Sequence, residues 1–319
     1  MRTRPIRAEE LGLFVEAAGP PDHRNEIEQY LKSMFAAGSM RPEWCFVAEE
    51  EGRPIGRVAL WTLPGAEKPF ALVLLDVPWE DHLGAGIRLL GDVLDEARRL
   101  GAREIEHVVD APPMGPQFKH SPEKRVGLLR TVGFALRRET DRFQWWGEGP
   151  PAASSRLSFR ALEEVGEDAF VDAMRRVSEG TLDREIRDER ERLGPHGAAR
   201  DFFEDAEGRA RTLVVAAGLR RAERRSRRPR DAGGAAQLPY TLFYVGVVPE
   251  MRGRGYVDDL LAAGTATLLD ARAVGGTEKP LRADTNVANA PMAAAFGRAE
   301  WTRFAGRREY VVDLASTRG

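Results

Sequence analysis

Cysteine is nearly missing from this chain of 319 residues: Cys45 is the only one. An intramolecular disulfide is therefore excluded, and a reducing compartment is expected. Histidine is scarce as well, with five residues at no ligand-type spacing, so no metal site is expected. Neither sign of charge dominates. Lysine and arginine total 48 against 50 aspartates and glutamates, which offers no global attraction to nucleic acid or to a membrane surface. Long apolar runs are lacking too. The stretch from Met1 to Gly19 mixes arginines and glutamates with its apolar residues, so no signal peptide or membrane span is expected there, and a cytoplasmic location is.

What the chain does have is length for two domains, each able to bury a core. Its most informative stretch runs from Thr241 to Leu261. Thr241 to Val248 is β-branched and aromatic and predicts a buried strand; Pro249-Glu250 ends it. Arg252-Gly-Arg-Gly255 makes a tight basic turn, and Val257 to Asp270 has helical apolar spacing. Strand, glycine turn and helix start together form an anion site. The first amides of a helix lack intrahelical partners, and glycines at Gly253 and Gly255 let a phosphate reach the backbone. No Gly-Lys-Ser/Thr follows, so this is not a Walker loop. Asp258 stands where a dinucleotide fingerprint would place its third glycine.

The spacing resembles the pyrophosphate loop of the GNAT superfamily of acyl-CoA N-acyltransferases, with Pro249, Arg252 and Gly255 in place and Val257 as a departure from Gly or Ala. A second family motif is similar to the run Asn289, Met292, Ala295, Phe296, Glu300 and Trp301. The resemblance implies acetyl-CoA as co-substrate and a primary amine of a small molecule as acceptor. It assigns the pyrophosphate to the amides of Gly253, Arg254, Gly255, Tyr256 and Val257, with side-chain charge from Arg252 and Arg254. The strand at Val247 and Val248 would pair with pantetheine, beside Asn289 and Phe296. Phe296 sits where many members carry a tyrosine acid, a role phenylalanine lacks. Asp284, ending the next apolar stretch, is the candidate base; its bland alternative is a turn-capping aspartate.

The first half repeats this pattern. Pro78 precedes Gly84 by six residues, as Pro249 precedes Gly255, and Gly133-Phe134 parallels Glu300-Trp301. The resemblance therefore implies two tandem GNAT-type lobes of α/β (α+β) class, each a twisted mixed β-sheet flanked by helices, at 1–147 and 156–319. That layout is similar to the mycothiol synthases, without implying their substrate. The first lobe reads as degenerate: Asp81 replaces the arginine with Glu80 beside it, Leu129 takes the tyrosine place, and the loop Pro112 to Pro122 displaces the asparagine. Gly147 to Ser155 reads as a linker. Phe202, Phe203 and Glu204 are expected to line the acceptor pocket; the alternative for the two aromatics is core.

One segment fits no pattern. Between Arg220 and Arg230 stand seven arginines, where the family places a hairpin strand. A solvated loop, a grip on an anionic partner and a shifted reading frame all account for it. No aromatics interleave the arginines, which argues against nucleic acid. A CoA-binding pseudoenzyme, regulatory or scaffolding, is the alternative to catalysis. The acceptor's identity and the oligomeric state are not encoded in anything above.

Overall fold

The run Ala71-Leu-Val-Leu-Leu-Asp76 is buried at every residue, as a strand covered on both faces must be. Around it a computed structural model describes residues 1–17, 21–80, 83–152, 156–209, 214–218, 240–276 and 278–315. Asp81 and the arginine-rich segment from Arg220 to Arg230 lie outside the described residues. The chain divides into two compact units. The first is Met1–Glu139 with the C-terminal segment from Gly306, and the second is Thr140–Ala305. Cutting the sequence at its linker would leave Gly306 onward in the second lobe. The chain instead crosses between units within two of its strands.

In the first unit the order is β1 (Arg2–Pro5), α1 (Leu11–Glu16), α2 (Arg24–Ala36), β2 (Cys45–Glu50), β3 (Arg53–Trp61), β4 (Ala71–Asp76), α3 (Leu83–Arg99), β5 (Glu104–Ala111) and α4 (Pro122–Thr131). Strands β1 to β4 pair antiparallel in sequence. Parallel β4 and β5 share one ladder position, Ala71↔Glu106, and then diverge. Leu74 has φ +53° inside β4, and the register against β3 shifts there. The effect of this bulge is visible in the packing. Val73 and Leu74 both join Phe14, Ile27 and Leu31 under α1 and α2, while Leu72 and Leu75 join Leu89, Val93 and Leu129 under α3 and α4.

Strand β6 (Ala135–Trp145) leads into the second unit, which holds β7 (Leu157–Ala161), α5 (Leu162–Val165), α6 (Glu167–Val177), α7 (Arg184–Arg209), β8 (Val214–Gly218), β9 (Thr241–Leu242), α8 (Tyr256–Gly275), β10 (Leu281–Asn286) and α9 (Ala290–Arg298). The last strand, β11 (Thr302–Asp313), starts in this unit, and its segment Gly306 to Asp313 pairs antiparallel with β5 of the first. Within the second unit β10 pairs antiparallel with β6 and parallel with β9, and β7 pairs with β8. Phe143, Trp145, Leu281, Ala283, Leu261, Phe296 and Trp301 form one core; Phe170, Met174 and Phe203 form another between α6 and α7. Gly194, at φ +73° with Pro195 behind it, breaks α7.

The internal repeat survives at atomic detail. Phe134 N–H donates to Leu129 O at 3.0 Å, and Trp301 N–H donates to Phe296 O at 2.9 Å. The preceding residues, Gly133 and Glu300, both have positive φ, +98° and +62°. Glu300 thus occupies a left-handed turn that its counterpart fills with glycine.

Candidate functional site

The glycine turn of the second unit is open. Gly253 and Gly255 have φ +75° and +76°, and a Cβ on Gly253 would meet no atom within 4 Å. Helix α8 starts at Tyr256 on the N-cap Gly255, and no side chain caps it. Its first turn carries Asp258 and Asp259, carboxylates of the kind that could fold back onto such amides. Both are engaged elsewhere. Arg298 binds Asp258 at 2.7 Å, and Arg156 binds the buried Asp259 at 2.8 Å. Arg156 also donates to the carbonyls of Arg254 (3.0 Å) and Gly255 (3.2 Å) and lies over the Tyr256 ring. Fixing those carbonyls from one side orients the turn's amides. Nothing local in the sequence around Arg156 reveals a partner about a hundred residues away.

Arg252 and Arg254 part company. Arg254 is exposed. The Arg252 guanidinium turns to the end of α6, donating to the carbonyls of Val177 (2.9 Å), Glu179 (2.7 Å) and Val247 (3.0 Å). Helix C-terminal carbonyls attract a cation, so Arg252 braces the loop against α6 in place of leaning over the turn.

The strand expected from Thr241 to Val248 is a ladder for two residues only, Arg282↔Thr241 and Ala283↔Leu242. From Phe243 to Val248 the chain leaves β10, so Val247 and Val248 lie on a diverging, half-buried segment. Two glycines of α8 permit the approach: a Cβ on Gly264 would lie 2.6 Å from Leu242, and one on Gly275 would lie 2.0 Å from the Tyr240 hydroxyl. Gly246 passes under Val177 in the same way, at 2.2 Å. Tyr244, missed by sequence reasoning, donates its hydroxyl to Met174 O at 3.4 Å, and burial raises its pKa.

The remaining sequence candidates fall in two groups. Asn289 caps α9, its side chain accepting from Met292 N–H at 3.3 Å. Phe296 is core, stacked on Phe143 at 4.7 Å and tilted against Trp301 at 5.5 Å. Phe203 is likewise core, whereas Phe202 leans on Tyr244. Asp284 stands on the exposed side of β10, accepting from Arg142 Nε at 3.3 Å. Phe296→Tyr is expected to lower stability by about 1–3 kcal/mol, since its hydroxyl enters an apolar stack. Chemical denaturation checks it, and an unchanged midpoint would show that the ring has a polar neighbour after all.

The corresponding place in the first unit is filled by its own side chains. Where β4 and β5 diverge, His107 Nδ1 donates to Leu72 O at 2.9 Å, and Arg125 donates to Leu75 O. Arg125 Nη2 and Arg57 Nη2 both reach Asp76, at 3.3 and 3.0 Å, and both arginines are wholly buried. Burial, then Lys119 and Arg125, keep His107 far below its ordinary pKa and so neutral. Glu80 at the loop is paired with Lys124.

Among the described residues no group of three or more histidine, cysteine or carboxylate side chains comes together as a metal site, and no helix is long and apolar enough to cross a membrane. No family model matches the sequence, and no curated protein does. Solved structures do match. A GCN5-related N-acetyltransferase from Sphaerobacter thermophilus aligns with 98% of this chain and 95% of its own, at TM-score 0.52 and 13% identity. A tandem GNAT protein from the clavulanic acid biosynthesis pathway aligns over 99% of both chains, at TM-score 0.46 and 16% identity. A GCN5-related N-acetyltransferase from Kribbella flavida covers 98% of this chain and is matched over 71% of its own length, at TM-score 0.42 and 12% identity. Over nearly its whole length, the chain has the fold of a GCN5-related N-acetyltransferase.

Proposed function

We propose that the chain is an N-acetyltransferase that moves an acetyl group from acetyl-CoA to the amine of a small molecule, using the second unit. The observation that carries this is the uncapped start of α8 behind two left-handed glycines, with Asp258 and Asp259 drawn off into ion pairs. Amides from Gly253 to Val257 hold the pyrophosphate, and exposed Arg254 adds charge. Arg252 holds the turn to α6. The diverging segment at Val247 and Val248 offers backbone groups to the pantetheine, Asn289 shapes the neighbouring helix start, and Phe296 supports that wall from the core. The amine attacks as its neutral form: the C–N bond forms, the C–S bond breaks, and the thiolate takes its proton from solvent. Asp284 or water accepts the ammonium proton.

Phe296 in the core and Asp284 paired with Arg142 favour one second reading, a lobe that binds acetyl-CoA without turnover. Thiol release over a panel of amines separates the two: acetyl-CoA binding with no release for any amine leaves the binding-only reading. Calorimetry is expected to give one acetyl-CoA per chain, because His107 and Arg125 occupy the first unit's gap. Two equivalent sites would overturn that asymmetry.

A further inference from the structure

The uncapped start of α8 carries its own potential cap. Counting from the N-cap Gly255, Asp258 is the third helical residue, a place from which a carboxylate reaches back onto the first amides of a helix. It stands close enough to do so: its Oδ2 lies 3.9 Å from where a Cβ on Gly255 would be. Yet no side chain caps α8. Asp258 is bound instead by Arg298, in the last turn of α9. Arg298 Nη2 donates to Asp258 Oδ1 at 2.7 Å, and Nε donates to Oδ1 and Oδ2 at 3.2 and 3.4 Å.

Packing does not lock that pair in place. It borders a cavity of about 160 Å³, lined also by Pro151, Ala152, Ala299 and Glu300, so the Asp258 side chain has room to rotate. Arg298 is the one cation in this lining, and Glu300 is a second carboxylate that cannot take its place. Arg156 lies as near the turn, 3.8 Å from the same Cβ position, but it is engaged with Asp259 and with the carbonyls of Arg254 and Gly255. The Arg298–Asp258 pair is half-exposed and adds little to stability. Its consequence is where it keeps Asp258. A carboxylate released at this place gains the unpaired amides and the positive end of α8, the same groups that an incoming phosphate needs.

We propose that Arg298 is a positioning residue of the acyl-donor site: it keeps the Asp258 carboxylate off the first amides of α8, and without it Asp258 closes the anion site as an internal competitor. This rests on the acetyltransferase reading above, which puts the pyrophosphate at those amides. A direct ligand would behave differently. A guanidinium that touches the phosphate is missed whatever stands at residue 258, whereas a positioning residue is needed only while a carboxylate stands there.

The test uses the full chain in two arms. In the first, calorimetry measures acetyl-CoA binding by the wild-type chain, Arg298→Ala, Arg298→Lys, Asp258→Ala and the double variant Arg298→Ala with Asp258→Ala. Arg298→Ala is expected to weaken binding about tenfold, and Arg298→Lys less. The double variant is expected to regain wild-type affinity, since alanine at residue 258 has nothing to place on the amides. Unchanged affinity in Arg298→Ala would overturn the proposal. So would a loss that persists in the double variant, because it would mean direct contact with the phosphate or damage to the fold. In the second arm no ligand is present, and NMR follows hydrogen exchange of the amides of Gly255, Tyr256 and Val257. At least one of them is expected to exchange about tenfold more slowly in Arg298→Ala than in the wild-type chain, and to return to the wild-type rate in the double variant. Equal exchange in all three chains would overturn the capping by Asp258. No acetyl-CoA binding by the wild-type chain would sink the transferase reading, while the exchange arm would still decide whether Arg298 keeps Asp258 off α8.

Discussion

Gly253→Asp should weaken acetyl-CoA binding by tens-fold, while Gly253→Asn should cost far less. Both side chains tolerate the left-handed backbone that Gly253 adopts at φ +75°, and both enter open space, so strain and bulk cancel between them. What differs is one negative charge at the mouth of α8. At ~6 Å from a phosphate and an effective dielectric near ~20, that charge opposes binding by roughly 2–3 kcal/mol before screening. Salt should shrink the gap, because the turn is exposed. Calorimetry at two ionic strengths measures it. Equal affinities for the aspartate and asparagine variants would mean that the pyrophosphate lies elsewhere.

That loop was legible because its determinants are local. Proline ends the extended segment, two glycines license left-handed backbone, and the apolar spacing that follows can only be a helix. The repeat was legible for the same reason, down to the turn at Gly133 and Glu300. Divergence of Val247 and Val248 from β10 was not, since a ladder's end depends on a partner strand and carries no mark in its own residues. Side-chain direction was equally hidden. Arg252 looked like a phosphate ligand by position, yet the carbonyls of Val177 and Glu179 claim it from more than seventy residues away. Arg298 and Asp258 stand on different helices, 40 residues apart, and meet only where α9 packs beside α8.

The first unit shows the limit most sharply. Reading it as degenerate rested on Glu80 and Asp81 at the loop, on Leu129 at the tyrosine place and on the loop Pro112 to Pro122. Glu80 turns out to be paired with Lys124, and Asp81 lies outside the described residues. What supports the proposed single site lies instead inside, where Arg125 and His107 hold the β4 carbonyls at Leu75 and Leu72. Arginine is a surface residue on any composition rule, so a strand such as Arg53–Trp61 gives no warning that Arg57 is fully buried.

Those buried charges set the second large effect. Asp76→Ala should destabilise the first unit by about 3–5 kcal/mol, because it strands two wholly buried guanidinium groups with no counter-charge. The carbonyls of Phe14, Val15, Leu75 and His120 still accept from the arginines, but neutral acceptors do not cancel a buried charge. Asp76→Asn should fall between, keeping an acceptor while losing the charge. Two compact units need not unfold together, so a single melting curve is the wrong measurement. Hydrogen exchange resolves the units. Protection of the β3 and β4 amides should collapse in Asp76→Ala while that of α8 and β10 changes little, and acetyl-CoA binding should persist wherever the second unit stays folded. A loss below about 1 kcal/mol would show that water reaches the pair. The first unit's gap would then be wet, and the structural reason for a single acetyl-CoA per chain would fall with it.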